Sequence, residues 1–185
     1  KGQGGKEWRD TTWLGEISEL GMAGGLPFHL TRAASLEAGR ERISLGTAEL
    51  VIAGGGVQFS GTEWTPQQWL SRGKFSGIGL RPGGPARMDE NEKNGKVLRL
   101  GGEWDIASTT QLTGSLRVTR ESGDWILPGN MSFSPLGLQA LQLSAHAGGG
   151  SLAVQLNAQG ERLGMVNANV SAPLARSASS SLNWT

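Results

Sequence analysis

The chain has 185 residues, 17 of them basic and 16 acidic, for a formal net charge of +1. Charges balanced and spread this evenly supply no basic face for nucleic acid, while the length suffices for one large or two small domains with a sizeable core. The absence of cysteine excludes a disulfide framework, a thiolate zinc site and a cysteine nucleophile.

Thirty glycines without a Gly-X-Y period, and seven tryptophans without a tyrosine, fit many short strands joined by glycine turns, with tryptophan packing in or capping a sheet. The chain starts at Lys1 with neither a signal-peptide pattern nor an apolar run near the ~20 residues of a membrane helix. It is therefore expected to be a soluble fragment of a longer protein, with any targeting segment outside it.

The first half, residues 1–80, reads as strands separated by turn signals. Trp13 to Leu20 is strand-like, and Leu26, Phe28 and Leu30 share one face after a Gly24-Gly25 turn. Ala34, Leu36 and Ala38 continue the even phase; the stretch from Thr31 to Glu41 is rich in helix formers, but its alternation and Gly39 favour a strand. Ile43 to Ala53 is a longer apolar run, Val57-Gln58-Phe59 follows Gly54-Gly55-Gly56, and Phe75 to Leu80 closes the half. Between them, Thr65-Pro66-Gln67-Gln68-Trp69-Leu70 predicts a single helical turn, with a Thr cap and Pro at the first helical position.

Residues 81–96 carry Arg81-Pro82-Gly83-Gly84-Pro85 and the polar run Asp89 to Lys96, and are expected to form an exposed, charged loop. The second half, 97–175, alternates cleanly, with Leu98, Leu100, Trp104 and Ile106 set against Arg99, Glu103 and Asp105. That is the period of a strand with one wet face. The same beat returns over Leu112 to Arg120, Ser151 to Gln159 and Gly164 to Ala172, and the Ser/Ala-rich end, 176–185, is expected to be loose. Gly61-Thr62-Glu63-Trp64 echoes Gly101-Gly102-Glu103-Trp104, a hint of similar modules in the two halves.

Catalytic patterns are missing. His29 and His146 each stand alone in a strand pattern, without helper ligands at metal-binding spacing. Glu16, Glu19, Glu103, Asp105 and Asp124 fall on the polar phase of strands or in turns, where solvated charges are expected. The Gly54–Gly56 and Gly148–Gly150 clusters lead into strand-like residues and lack the Gly-Lys-Ser/Thr of a phosphate loop; no Gly-x-Ser-x-Gly elbow occurs. The reading is of a non-enzymatic binding or structural module, without cofactor, metal or nucleic-acid partner.

An amphipathic sheet must hide its apolar side against another sheet or a ligand. The residues that would line either are Leu98, Leu100, Trp104, Ile106, Leu116, Val118, Leu141, Leu143, Leu152, Val154, Leu156, Val166 and Val170. At roughly 25 cal/mol per Å² of apolar area, acyl chains or a facing sheet would be held there without a dedicated polar site.

Four stretches, Gly101-Gly102-Glu103-Trp104-Asp105, Leu112 to Asp124, Leu136-Gly137-Leu138 and Gly160-Glu161-Arg162-Leu163-Gly164, resemble in their order the C-terminal region of the TamB family. TamB is the inner-membrane subunit of the translocation and assembly module of Gram-negative bacteria. The first half, with Trp13-Leu14-Gly15, Gly54-Gly55-Gly56-Val57 and Gly73-Lys74-Phe75-Ser76-Gly77, is similar to the stretch preceding that region. The chain departs from the family at Arg81 to Lys96, where the family tends to have an apolar connection.

The resemblance implies an all-β fold, an elongated, curved, mostly antiparallel sheet folded into a taco-like apolar groove, almost without helix. It implies a periplasmic segment of an envelope-spanning protein, anchored in the inner membrane outside this fragment and facing a TamA-like outer-membrane barrel. The groove would shield phospholipid acyl chains, or apolar strands of outer-membrane proteins and autotransporters, during outer-membrane assembly. A rival is a non-catalytic β-sandwich or solenoid module of an autotransporter or adhesin, with a two-acid carbohydrate-active sandwich behind it. An exposed edge strand would let copies associate edge to edge.

Overall fold

The computed structural model describes residues 12–22, 27–81, 84–85, 97–128 and 133–174. Strands dominate, and there is no helix among the described residues. The first three rungs are each broken in two: β1 (Trp13–Ile17) with β2 (Gly21–Met22), β3 (Phe28–Arg32) with β4 (Ala34–Ala38), and β5 (Ile43–Leu45) with β6 (Ala48–Ile52). Longer strands follow as β7 (Gly55–Thr65) and β8 (Gln68–Arg81), the latter turning back on the short β9 (Gly84–Pro85). Next come β10 (Leu98–Ser108) and β11 (Leu112–Ser122), then the small hairpin of β12 (Ile126–Pro128) and β13 (Phe133–Pro135). The series ends with β14 (Leu138–Gly148), β15 (Ser151–Gly160) and β16 (Gly164–Pro173).

All but β12 and β13 belong to one 14-stranded sheet whose main path runs β1-β4-β5-β7-β8-β10-β11-β14-β15-β16. Each rung pairs antiparallel with its neighbour in sequence, so the sheet is a meander that, among the described residues, is open at β1–β2 and at β16. The β8–β10 ladder, from Leu80 opposite Leu98 to Trp69 opposite Ser108, joins the two halves without a break in the sheet. Of the connection expected over 81–96, only Arg81, Gly84 and Pro85 are described; the end at 176–185 lies outside the described residues.

Local chemistry explains the turns. Gly149 and Gly150 both take positive φ, 59° and 76°, the two-residue turn whose twist matches an antiparallel pair. Ala53 (φ 50°) and Gly54 (φ 75°) do the same between β6 and β7. Thr65 to Leu70 is no helical turn. Pro66 and Gln67 form a tight hairpin instead, because Trp64 pairs with Trp69 across it and the Thr65 hydroxyl accepts the Gln68 N–H at 3.0 Å. A proline with φ near −65° opens a β-turn as readily as a helix, and the flanking ladder decides.

Candidate functional site

Register places the apolar residues of the second half in rows across the sheet. One row runs Gly73, Trp104, Leu116, Ala145, Val154, Val170; the next runs Gly102, Val118, Leu143, Leu156, Ala168. On either side lie Ile106, Gly114, Ala147, Leu152, Ala172 and the pair Leu141–Ala158 with Val166. Leu98 and Leu100 share the phase of Trp104 on β10. All the expected lining residues therefore stand on one face. The first half continues it: Phe59 faces Gly73 and Ala48, Val57 faces Phe75 and Leu50, and Leu45 faces Leu36.

The other face is polar. Arg72 and Asp105, opposite one another, form an ion pair at 2.8 Å. Arg42 bonds Glu63 at 2.9 Å, and that hydrogen bond, then the charges of Glu63 and Glu37, hold its guanidinium above its ordinary range. His29 and His146 are on this face too, opposite Val51 and Ser115 respectively. No cluster of metal-ligating side chains occurs among the described residues. Two shallow, open hollows, of about 460 and 510 Å³, are also lined mainly by this face, one by Glu49, Gln58 and Lys74, the other by Arg117, Gln155 and Asn169.

Burial differs sharply along the apolar face. Leu98, Leu138 and Ala158 form a buried cluster at one end of the strands, with Leu100, Trp125, Leu141 and Leu163 packed on it. Most other lining residues are half-buried, whereas Val166 and Val170 on β16 are 36% and 61% exposed. No large side chain among the described residues is fully enclosed. That is the profile of a face with little laid over it, since a core residue would be wrapped on all sides.

Trp104 occupies the middle of the face. Glycine at position 73 makes this possible, because a Cβ there would collide with the indole ring and with the Gln58 carbonyl. The ring lies beside Phe59 at 5.2 Å, edge to face, and Phe75 at 6.4 Å, and its Nε1–H donates to Ser71 Oγ at 3.0 Å. Aromatic side chains laid over strand glycines fill the groove a missing side chain would leave. Trp13 over Gly15 repeats the device at the β1 edge.

The echo of Gly61-Thr62-Glu63-Trp64 in Gly101 to Trp104 is matched in space: both tryptophans lie on the apolar face and both glutamates on the polar one. Trp64 belongs to an end row, with Trp13 opposite Ala38, Ala38 opposite Ile43, Ile43 opposite Trp64, and Trp64 opposite Trp69. All four large members of this row are exposed. The row is invisible in the sequence, because its members are brought together only by four successive registers.

Asp124 differs from the solvated acid expected of it. Its carboxylate accepts the backbone N–H groups of Trp125 at 2.8 Å, Gly137 at 2.8 Å and Leu138 at 2.9 Å, tying both ends of the β11–β14 connection together. Arg120 bonds the carbonyls of Gly123 at 2.9 Å and Gln139 at 3.0 Å. Together they seat Trp125 against the Leu98 cluster at that end of the apolar face. An Asp directly after a glycine in a turn was the one sequence signal for this clasp.

No protein-family model matches the chain, and no curated protein or solved structure is significantly similar to it.

Proposed function

We propose that the apolar face is the working surface of a TamB-like periplasmic segment, a trough in which acyl chains of phospholipids, or apolar strands of outer-membrane proteins, are shielded from water in transit. In this reading the sheet is curved about its apolar side. The full-length protein is held in the inner membrane by a segment outside the chain and reaches a TamA-like barrel, and the module is not an enzyme.

The observation that carries the proposal is one apolar face maintained in register along the sheet path, while most of its residues outside the Leu98 cluster stay half-buried and those of β16 lie open. A face built only for folding would be expected to enclose large side chains, because each buried Leu or Val contributes about 1.5–3 kcal/mol. An acyl chain fits such a surface because the hydrophobic effect needs no directional partner.

The test is photo-crosslinking with a phospholipid carrying the reactive group on its acyl chain, followed by peptide mapping, with mass spectrometry of lipid that co-purifies. Label at Leu116 and Val154 is expected, and none at Arg117 or Gln155, their neighbours on the opposite face. Label confined to the polar face, or to neither, would overturn the proposal and favour a purely structural β-module.

A further inference from the structure

β16 is the more open edge of the sheet. Its ten residues are all exposed, it pairs only with β15 among the described residues, and Gly164 to Pro173 contains no charged side chain. Edges are ordinarily blunted by short strands, charges or bulges. The opposite edge shows these devices: β1 and β2 are short, separated by a break, and carry Glu16 in β1 and Glu19 in the break.

The sequence of β16 adds a second observation. Val166-Asn167-Ala168-Asn169-Val170 is a palindrome about Ala168. An antiparallel strand meeting a copy of itself at that centre sets Val166 against the copy's Val170, Asn167 against its Asn169 and Ala168 against its Ala168. Residues of equal phase meet, so apolar pairs fall on the apolar face and amide pairs on the polar face. No like charges are opposed, which removes the usual penalty on self-pairing.

We infer that this chain forms a two-fold dimer through β16, antiparallel and centred on Ala168. The contact is isologous and closes, leaving each copy's β1–β2 edge outermost. The row Leu156–Ala168 then continues into the same row of the second copy, and Ala158–Val166 meets its Val170–Val154. The apolar face is thereby doubled in width without a seam. The inference stands on edge geometry and sequence symmetry, and does not depend on lipid binding.

Light scattering and sedimentation of the full chain test it, with a mass of twice 19.4 kDa expected. Ala168→Lys sets each lysine against its own copy and should return the mass to that of one chain, with an unchanged far-ultraviolet spectrum. Cysteine is absent, so Ala168→Cys introduces a single thiol. Opposed Cα atoms about 4.5–5.5 Å apart are within disulfide range. Ala168→Cys should therefore oxidise to a covalent dimer at least ~10-fold faster than Val166→Cys alone. In an equimolar mixture of Val166→Cys and Val170→Cys chains, the half of the dimers that contain one chain of each kind should cross-link as readily as Ala168→Cys. A monomer at every concentration, a dimer that survives Ala168→Lys, or equal oxidation at positions 166 and 168 would overturn the inference. So would a dimer abolished by Leu14→Lys alone, which would move the contact to the β1 edge.

Discussion

Glu121 reaches across β10 to Gly77: its Oε2 accepts the Gly77 N–H at 2.7 Å, while Oε1 accepts the Ser76 hydroxyl at 2.7 Å. Ser76 and Gly77 together oppose the single residue Gly101, a β-bulge with Gly77 at φ 70°. The bulge leaves an N–H off the ladder, and Glu121 satisfies it from the next strand but one. Arg99 completes the arrangement by donating to the Gly77 carbonyl at 3.1 Å.

Gly101 permits that reach, because a Cβ there would collide with the Glu121 carboxylate. Gly101→Ala and Glu121→Ala should each destabilise by about 1–2 kcal/mol, the range of a charge-assisted hydrogen bond near the surface. Each breaks the same contact, so the double variant should cost little more than either alone. Urea denaturation of the four proteins in a double-mutant cycle checks this, and strict additivity would refute the shared mechanism.

Gly73→Ala forces the Trp104 ring off the sheet. A loss of about 2 kcal/mol or more is expected, from displaced aromatic contacts and the lost Trp104–Ser71 hydrogen bond, which leaves Ser71 with Thr62 as its hydroxyl partner. Trp104→Phe should cost less, because it keeps an aromatic ring on the face and gives up the hydrogen bond and part of the ring area. Denaturation midpoints should therefore rank wild type, Trp104→Phe, Gly73→Ala from most to least stable.

Asp124→Ala strips the acceptor from three backbone N–H groups. The predicted cost is about 2–4 kcal/mol, and it should be local. Amide exchange at Gly137 and Leu138 should accelerate at least ~10-fold while the β10–β11 ladder keeps its protection. Uniform acceleration across the sheet would show that the clasp supports the whole fold rather than the Trp125 end.

Val154→Asp and Gln155→Asp place the same charge one residue apart on opposite faces. If acyl chains lie on the apolar face, Val154→Asp should reduce phospholipid capture at least ~10-fold and Gln155→Asp less than ~2-fold, since an unpaired carboxylate in an apolar contact costs several kcal/mol. Capture by fluorescent phospholipid, with far-ultraviolet spectra confirming the sheet in both variants, reads this directly.

Much of this fold was legible in the alternation of Leu98 to Ile106 and its repeats. Period two assigns each residue to a face of its own strand, and glycine turns between runs set the meander, so the all-β class and the membership of the apolar face both follow from the chain. The helical turn at Thr65 to Leu70 misled because Thr-Pro opens a helix and a hairpin with equal ease. The Trp64–Trp69 pairing that decides between them is a contact across a ladder.

What only the tertiary structure decided is how strands meet. Which tryptophans share the end row with Trp13, and that Glu121 serves a bulge forty-four residues earlier, depend on registers between strands. The same holds for Asp124, a turn residue in sequence and a three-way acceptor in space. Side-chain phase is a local property fixed by backbone geometry, whereas register is set by bulges, glycine gaps and turn lengths acting together.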